Sequence, residues 1–317
     1  MAVLRSAVIL LLASLLLRAQ GDDIYQRLKA LLGDEAAVQL RAKNFAGIQE
    51  ELAAIKPASE QQRAEVLALS GAVSFLAGDM TRAVADFQAA EKIRPAEDAD
   101  RFTLAMALLK TGGEAEARGV LKSLAAAHPT SAIYWYWLGR IDYFQRRYSE
   151  AVENLEKAVD LDPKAARAWD SLGLACDMQG HMDDARKFFE KAVPLNREQA
   201  QPSPWPPHNL GYLLLRMNDP GGAEEALRES LRYDSKLART HYYLARVLEK
   251  EERANDAIAE YQLAIAGDAT SADACYSLGL LYRKLHHEAE AYAMFAEYRK
   301  RKNTGMTGGP VDADPVH

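Results

Sequence analysis

Residues 132–163 read AIYWYWLGRIDYFQRRYSEAVENLEKAVDLDP, and the spacing of small and large residues in this stretch recurs along the chain. A column of alanines repeats in steps of 34, 34, 34, 38, 34 and 34 residues: Ala83, Ala117, Ala151, Ala185, Ala223, Ala257 and Ala291. A second small column precedes it by twelve residues: Gly71, Ala105, Gly139, Gly173, Gly211, Ala245 and Gly279. A large apolar column follows the alanines by four residues: Phe87, Leu121, Leu155, Phe189, Leu227, Tyr261 and Phe295. We therefore expect seven copies of one structural unit.

These columns predict a pair of antiparallel helices in each unit. Small residues at two crossing points let helices approach closely. Large apolar residues at spacings of three and four fill the seam between them. In three units a proline follows the second helix, at Pro95, Pro129 and Pro163. It should end that helix, because the residue before proline avoids the helical region.

The pattern resembles the tetratricopeptide repeat family. The match is strongest over residues 132–165, through Trp135, Leu138, Gly139, Ala151, Leu155, Ala158 and Pro163. It recurs over residues 166–199, through Trp169, Leu172, Gly173, Ala185, Phe189 and Ala192. The resemblance implies an all-α fold, an α-solenoid (a superhelix) of stacked antiparallel helix pairs. The seven repeats fall at 64–97, 98–131, 132–165, 166–199, 204–237, 238–271 and 272–302.

The rest of the chain flanks or interrupts this array. Residues 22–63 read as an N-terminal helical cap or a degenerate repeat, since solenoids need atypical ends. Residues 200–203 form a proline-containing insertion that shifts the phase by four residues. It is either a tolerated loop or a change of curvature that presents Trp205 to a ligand. Residues 303–317 are rich in Gly and Pro and are predicted to be disordered.

The first 21 residues are predicted to be a secretory signal peptide. Arg5 precedes an apolar run, AVILLLASLLL, and the segment ends with the small-x-small triplet Ala19-Gln20-Gly21. The run is too short to cross a bilayer comfortably, so no stable membrane span is expected after cleavage before Asp22. An uncleaved anchor is the alternative. We expect an exported protein, periplasmic or secreted.

Composition and charge narrow the function classes. The chain is 49% hydrophobic and 26% charged, which is ordinary for a folded protein. Its net charge of −6 argues against nucleic acid as a partner. Cys176 and Cys275 lie about three repeats apart and are predicted to be small buried residues. No phosphate-binding loop, catalytic triad order or metal-ligand spacing occurs, so we expect no enzyme activity and no cofactor.

The four consecutive aromatic residues 134–137 cannot all face one core. With the glycine column as position 8, each residue advances about 100° around the first helix. Trp135, at position 4, is predicted to be in the core, and Tyr134 to pack against the preceding repeat. Tyr136, at position 5, should point into the concave groove that the family resemblance implies. Trp137 should lie at the edge of that groove.

The groove as a whole is predicted to be aromatic and rich in arginine. Its candidate partner-binding residues are Phe102, Tyr136, Trp137, Arg140, Tyr143, Phe144, Trp205, His208, Asn209, Tyr212, Arg239, Tyr242, Arg246 and Tyr276. Tyr, Trp and Arg carry much of the binding energy at interfaces. Local packing of the tyrosines is the competing explanation. Asn209 and Arg239 fit the family's clamp for a peptide C-terminus, whereas Asp170, Leu174 and Tyr243 do not.

These observations favour a non-enzymatic scaffold that binds an extended peptide or a partner's helix in the groove. Its expected setting is cell-envelope assembly or secretion. The alternative is a polysaccharide-binding protein of a polymer-export system, in which stacked aromatic rings would hold sugars.

Overall fold

The computed structural model describes residues 23–268 and 272–303, and every regular element within them is an α-helix. The helices are α1 (23–32), α2 (Asp34–Arg41), α3 (Phe45–Ala54), α4 (Glu60–Ala77), α5 (Met80–Glu91), α6 (Asp98–Thr111), α7 (Glu114–Ala127), α8 (Ala132–Phe144), α9 (Tyr148–Leu161), α10 (Ala166–Met178), α11 (Met182–Arg197), α12 (Trp205–Arg216), α13 (Pro220–Tyr233), α14 (Ala238–Lys250), α15 (Ala254–Gly267), α16 (Ala272–Lys284) and α17 (Glu288–Asn303). The predicted signal peptide lies outside the described residues, as does all but the first residue of the predicted tail.

From α4 onward the helices form consecutive pairs, which we call helix A and helix B of each repeat. The chain divides into two compact units, one ending at Ile141 and one beginning at Asp142. In the first unit α4 packs on α5 and α6 on α7. In the second unit the pairs are α10–α11, α12–α13, α14–α15 and α16–α17. The predicted α-solenoid of stacked helix pairs is confirmed.

The residue columns have the packing roles that the repeat predicts. All seven alanines of the column are at most 1% exposed. A Cβ added at Gly173 would lie 2.6 Å from a ring carbon of Phe189, and one at Gly211 would lie 2.6 Å from Leu227. The large residue of helix B therefore sits directly on the glycine of helix A. Only a residue without a side chain allows that approach.

Every A–B turn contains one residue with a positive φ, in the same column of the repeat. Three are glycines, at Gly78, Gly112 and Gly180, with φ between 81° and 86°. The other four are Arg146, Asn218, Glu252 and His286, with φ between 58° and 61°. This left-handed residue ends helix A so that helix B can turn back on it.

The proline-containing link before α12 is ordered by one side chain. Asn196, 2% exposed, donates from Nδ2 to the Ser203 carbonyl and accepts the Ser203 backbone N–H on Oδ1, both at 2.8 Å. α11 extends to Arg197 with Pro194 inside it. The guanidinium of Arg197 is paired with Glu229 of α13. Asn196 thus ties the end of α11 to the last residue of the insertion, Ser203.

Candidate functional site

The A helices α10, α12 and α14 of the second unit form one layer, because α12 packs against both α10 and α14. Aromatic rings run across this layer from α12 to α14. Tyr243 lies at their centre, 1% exposed, with ring centroids 5.5 Å from His208, 4.5 Å from Tyr212 and 5.3 Å from Tyr242. Trp205 continues the series, 5.3 Å from His208. These contacts make the predicted aromatic groove of α12 and α14 a packed platform.

Three successive A helices each carry an exposed arginine that stands over an aromatic ring. Arg216 of α12 lies 5.3 Å from the Tyr212 ring, and Arg246 of α14 lies 5.8 Å from the Tyr242 ring. Arg283 of α16 lies 5.7 Å from the ring of Phe295. Stacking on a ring holds a guanidinium in place at little cost in hydration. We call Arg216, Arg246 and Arg283 the arginine row.

The positive charge of the arginine row is neutralised by a carboxylate at one of its three members. Arg216 forms a salt bridge with Asp177 of α10 at 2.5 Å. In the part of the chain that the structure describes, neither Arg246 nor Arg283 has a salt bridge. The row is therefore a cationic surface on a protein whose net charge is −6.

Two predicted groove residues are used for internal contacts. Asn209, 9% exposed, donates to Asp170 at 3.0 Å, which leaves that amide poorly placed to hold a peptide carboxylate. His208, 3% exposed, is bonded through Nδ1 to Thr240 Oγ1 at 2.8 Å. Burial and the nearby Arg239 charge lower the pKa of His208 to about 3, so its ring is neutral at pH 7. Both side chains are engaged in contacts inside the platform and are not presented on its surface.

In the first unit, the burial of the two tryptophans of the YWYW stretch differs from the prediction. Trp137 is buried, 7% exposed, and its ring packs edge-on against Tyr136 at 5.4 Å. Trp135 is only half-buried, and its indole N–H donates to the Pro129 carbonyl in the loop before α8, at 2.9 Å. The prediction that Trp135 is core and Trp137 is at the groove edge is wrong. Tyr134 packs on Phe102 of the preceding repeat at 5.6 Å, as predicted.

Other predicted groove residues of α6 and α8 are also largely covered. Phe102 and Tyr136 are 4% and 6% exposed. Arg140 lies over the Tyr136 ring at 5.9 Å and donates to its hydroxyl at 3.2 Å. The indole nitrogen of Trp137 is buried and has no hydrogen-bond partner among the described residues. Phe102, Tyr136 and Trp137 therefore present little aromatic surface to a partner.

The remaining predicted residues differ in exposure. Tyr143 is buried at 8%, whereas Phe144 beside it is exposed at 39%. Tyr276 of α16 is exposed at 44%, and its ring lies 5.1 Å from that of Tyr298. Tyr242 is 8% exposed, and Arg239 and Tyr212 are half-buried. A role of these residues in binding stays a prediction.

Sequence reasoning missed Arg216 and left Arg283 out of the candidate set. The signal was present for Arg216, because an arginine follows a tyrosine by four residues in Tyr136–Arg140, Tyr212–Arg216 and Tyr242–Arg246. On a helix that spacing places the two side chains next to each other.

Buried and charged groups elsewhere do not form a second site. The thiols of Cys176 and Cys275 are buried, as predicted, and burial raises the pKa of Cys176 to about 11. Within residues 23–268 and 272–303, no cluster of three or more His, Cys, Asp or Glu side chains is placed to hold a metal ion. In the same ranges no helix combines the length and apolarity needed to cross a membrane.

The family model for the tetratricopeptide repeat matches residues 102–143, 138–203 and 208–274, which is more than half of the chain. The chain belongs to the tetratricopeptide repeat family. Repeats of this family form scaffolds for protein–protein interaction, so the protein is a member of a scaffold family and its partners are expected to be proteins or peptides.

The relatives that this chain matches are much longer proteins. Superkiller complex protein 3 of Mus musculus is 32% identical over 124 residues, which cover 38% of this chain and 8% of that protein. Protein O-mannosyl-transferase TMTC1 of Homo sapiens is 27% identical over 143 residues, which cover 44% of this chain and 16% of that protein. The chain thus spans less than a fifth of either relative.

A solved repeat protein shares the fold. The structure of a tetratricopeptide repeat protein from Parabacteroides merdae aligns with a TM-score of 0.60 at 14% identity. The alignment covers 82% of this chain and 99% of that one.

Proposed function

We propose that this protein is a non-enzymatic scaffold that binds an acidic, extended peptide segment or an acidic partner helix on the A-helix layer of its second unit. The arginine row is the observation that supports this proposal. Three successive A helices each present an exposed guanidinium held over an aromatic ring, and two of the three have no salt bridge among the described residues.

The chemistry of the row favours a carboxylate-bearing partner. Guanidinium groups bind carboxylates in a two-point geometry that an ammonium group cannot match. The ring beneath each arginine limits its rotamers, so less entropy is lost when a partner binds. The nearby exposed ring of Tyr276 adds an apolar contact. An acidic segment with interspersed aromatic or apolar residues fits this surface.

Selection of random peptides tests this proposal. Phage-displayed dodecapeptides are selected on the immobilised chain, residues 22–317, and on an Arg246→Ala/Arg283→Ala variant. If each arginine contributes about 1 kcal/mol, the upper end for an exposed ion pair, the double variant should bind the selected acidic peptides about thirtyfold more weakly. Binding should also weaken as salt screens the charges.

The matched control removes two arginines from B helices of the same unit. Arg186→Ala/Arg228→Ala makes the same chemical change on α11 and α13. It should leave peptide affinity within about twofold of the original. A selection without acidic enrichment, or equal losses in both double variants, would contradict the proposal.

A glycan array, run beside the peptide selection, tests the polysaccharide alternative. A sugar needs a ring whose face is open to solvent, and among the predicted rings Tyr136 and Trp137 are buried. A glycan array that binds this chain, together with a peptide selection that enriches nothing, would favour the polysaccharide alternative.

We also propose that the protein acts outside the cytoplasm, in envelope assembly or secretion. The segment 1–21 supports this proposal by its charge, apolar run and small-x-small ending. N-terminal sequencing of the protein from fractionated cells should find Asp22 as the first residue. An intact Met1, or a protein confined to the cytoplasm, would refute it.

A further inference from the structure

Helix α1 stands outside the repeat series. α3 begins at Phe45 and α5 at Met80, one repeat length apart to within a residue. α2 and α3 therefore occupy the places of an A–B pair before α4, and α3 packs on α4 as other B helices pack on the next A helix. α1 (23–32) precedes this pair.

One arginine of α1 joins two A helices of the array. Arg27 donates from Nε to Glu65 of α4 at 2.8 Å. Its two terminal nitrogens bind the two oxygens of Asp100 on α6, each at 3.0 Å. Because α4 and α6 are adjacent A helices, an arginine that reaches both lies across their shared face.

The middle turns of α4 and α6 are buried. Seven consecutive residues of α4, 68–74, are buried, and so are seven consecutive residues of α6, 102–108. α1 turns an apolar stripe inward, with Ile24 at 6% and Leu28 at 0% exposure on either side of Arg27.

The two carboxylates require a cation. The side chain of Asp100 is only 6% exposed, and that of Glu65 is 24% exposed. A carboxylate buried to this extent is strongly disfavoured without a partner. Arg94, in the loop after α5, contacts Glu65 at 2.8 Å, whereas both oxygens of Asp100 are bonded by Arg27.

We propose that the shared face of α4 and α6 is a helix-binding site, that α1 is its resident occupant, and that Glu65 and Asp100 select a helix with an arginine between apolar residues. The tethered α1 is a built-in competitor that keeps this site closed to other helices. This site lies in the first unit and presents carboxylates, whereas the arginine row lies in the second unit and is cationic.

Binding of a labelled peptide to the full chain tests the proposal. The probe is a fluorescent peptide of residues 23–33, DIYQRLKALLG, and the receptors are residues 22–317 with and without Arg27→Ala. A tethered helix competes at an effective concentration of roughly millimolar. Weakening it by Arg27→Ala should raise the affinity for the peptide about tenfold or more.

Two controls assign the binding to the carboxylates. The same peptide with Arg27→Ala should not bind either receptor. A receptor that carries both Arg27→Ala and Asp100→Ala should lose the gain.

Hydrogen exchange on the Arg27→Ala chain separates a docked helix from an integral one. Amides of α1 should lose protection while those of α5 and α7 keep it, and circular dichroism should show nearly unchanged helicity. The proposal is overturned if α1, α4 and α6 lose protection together, if α1 protection does not change, or if α1 opens and the peptide still does not bind.

Discussion

A single methyl group added to a helix glycine should have opposite effects at two places in this chain. Gly173 of α10 faces Phe189, and a Cβ there would lie 2.6 and 2.7 Å from two ring carbons. Gly119, in the interior of α7, has nothing within 4 Å of an added Cβ. Gly173→Ala and Gly119→Ala are thus the same substitution in the same secondary structure with different surroundings.

The magnitudes follow from two terms. Alanine in a helix interior is favoured over glycine by about 1 kcal/mol, and this gain is common to both variants. Carbon atoms in contact prefer about 3.5–4.0 Å, so the Phe189 ring must move by about 1 Å. Phe189 is 1% exposed and has little room to move. Overpacking of this kind costs about 1–3 kcal/mol, which is the expected difference between the variants.

Native-state hydrogen exchange measures each effect locally, in α10–α11 for Gly173→Ala and in α6–α7 for Gly119→Ala. Gly119→Ala should raise the local free energy of opening by about 0.5–1 kcal/mol. The local free energy of opening of Gly173→Ala should be lower than that of Gly119→Ala by the overpacking cost of about 1–3 kcal/mol. Adding Phe189→Leu to Gly173→Ala should recover part of the loss. Equal stabilisation by both alanines would refute the packing explanation of the glycine column.

Three further predictions concern stability. Glu252 has a φ of 60° in an A–B turn, so Glu252→Gly should stabilise α14–α15 by about 0.5–1 kcal/mol in hydrogen exchange; a loss would show that its side chain matters more than the backbone. Burial opposes protonation of His241, but its bonds to the Glu260 carboxylate (2.6 Å) and the Ser235 carbonyl outweigh burial and raise its pKa. The protonated ring therefore stabilises the fold. This contribution is complete below about pH 6.5 and is lost as pH rises through the raised pKa. Glu260→Gln should flatten that dependence in urea titrations between pH 5 and pH 8, and an unchanged slope would exclude this pair as its source. Asn196→Ala removes both bonds to the proline-containing link and should expose residues 198–204 to limited proteolysis; unchanged cleavage would mean that the prolines alone order the link.

The residue types of the candidate site could largely be predicted from the sequence, but the exposure of each side chain could not. The helical period predicted aromatic side chains on one side of α12 and α14. It could not show that Tyr243 lies at the centre of them or that Asn209 is held by Asp170. Those facts depend on neighbouring repeats, which a helical wheel does not include.

The sequence by itself determined the repeat and its packing logic. A period of 34 residues with a small column and a large column leaves one arrangement in which the alanines are buried and Phe189 meets Gly173. Such contacts are local in sequence, within one helix pair, so the pattern specifies them. The left-handed turn residue belongs to the same period. Glycine at this position is a recognisable sequence signal, whereas Arg146 and Glu252 are not.

Only the tertiary structure decided which side chains face solvent and what covers the rest. The exposure of Trp135 and Trp137 differs from the prediction, because a helical wheel of α8 does not include the neighbouring helices and loop. Trp135 donates to the Pro129 carbonyl, and the same bond recurs one repeat later from Trp169 to the Pro163 carbonyl. Arg27 lies 38 residues from Glu65 and 73 from Asp100, and no repeat relates it to either. Contacts between non-equivalent segments depend on how the chain folds back, and that is settled by burial and charge pairing in three dimensions.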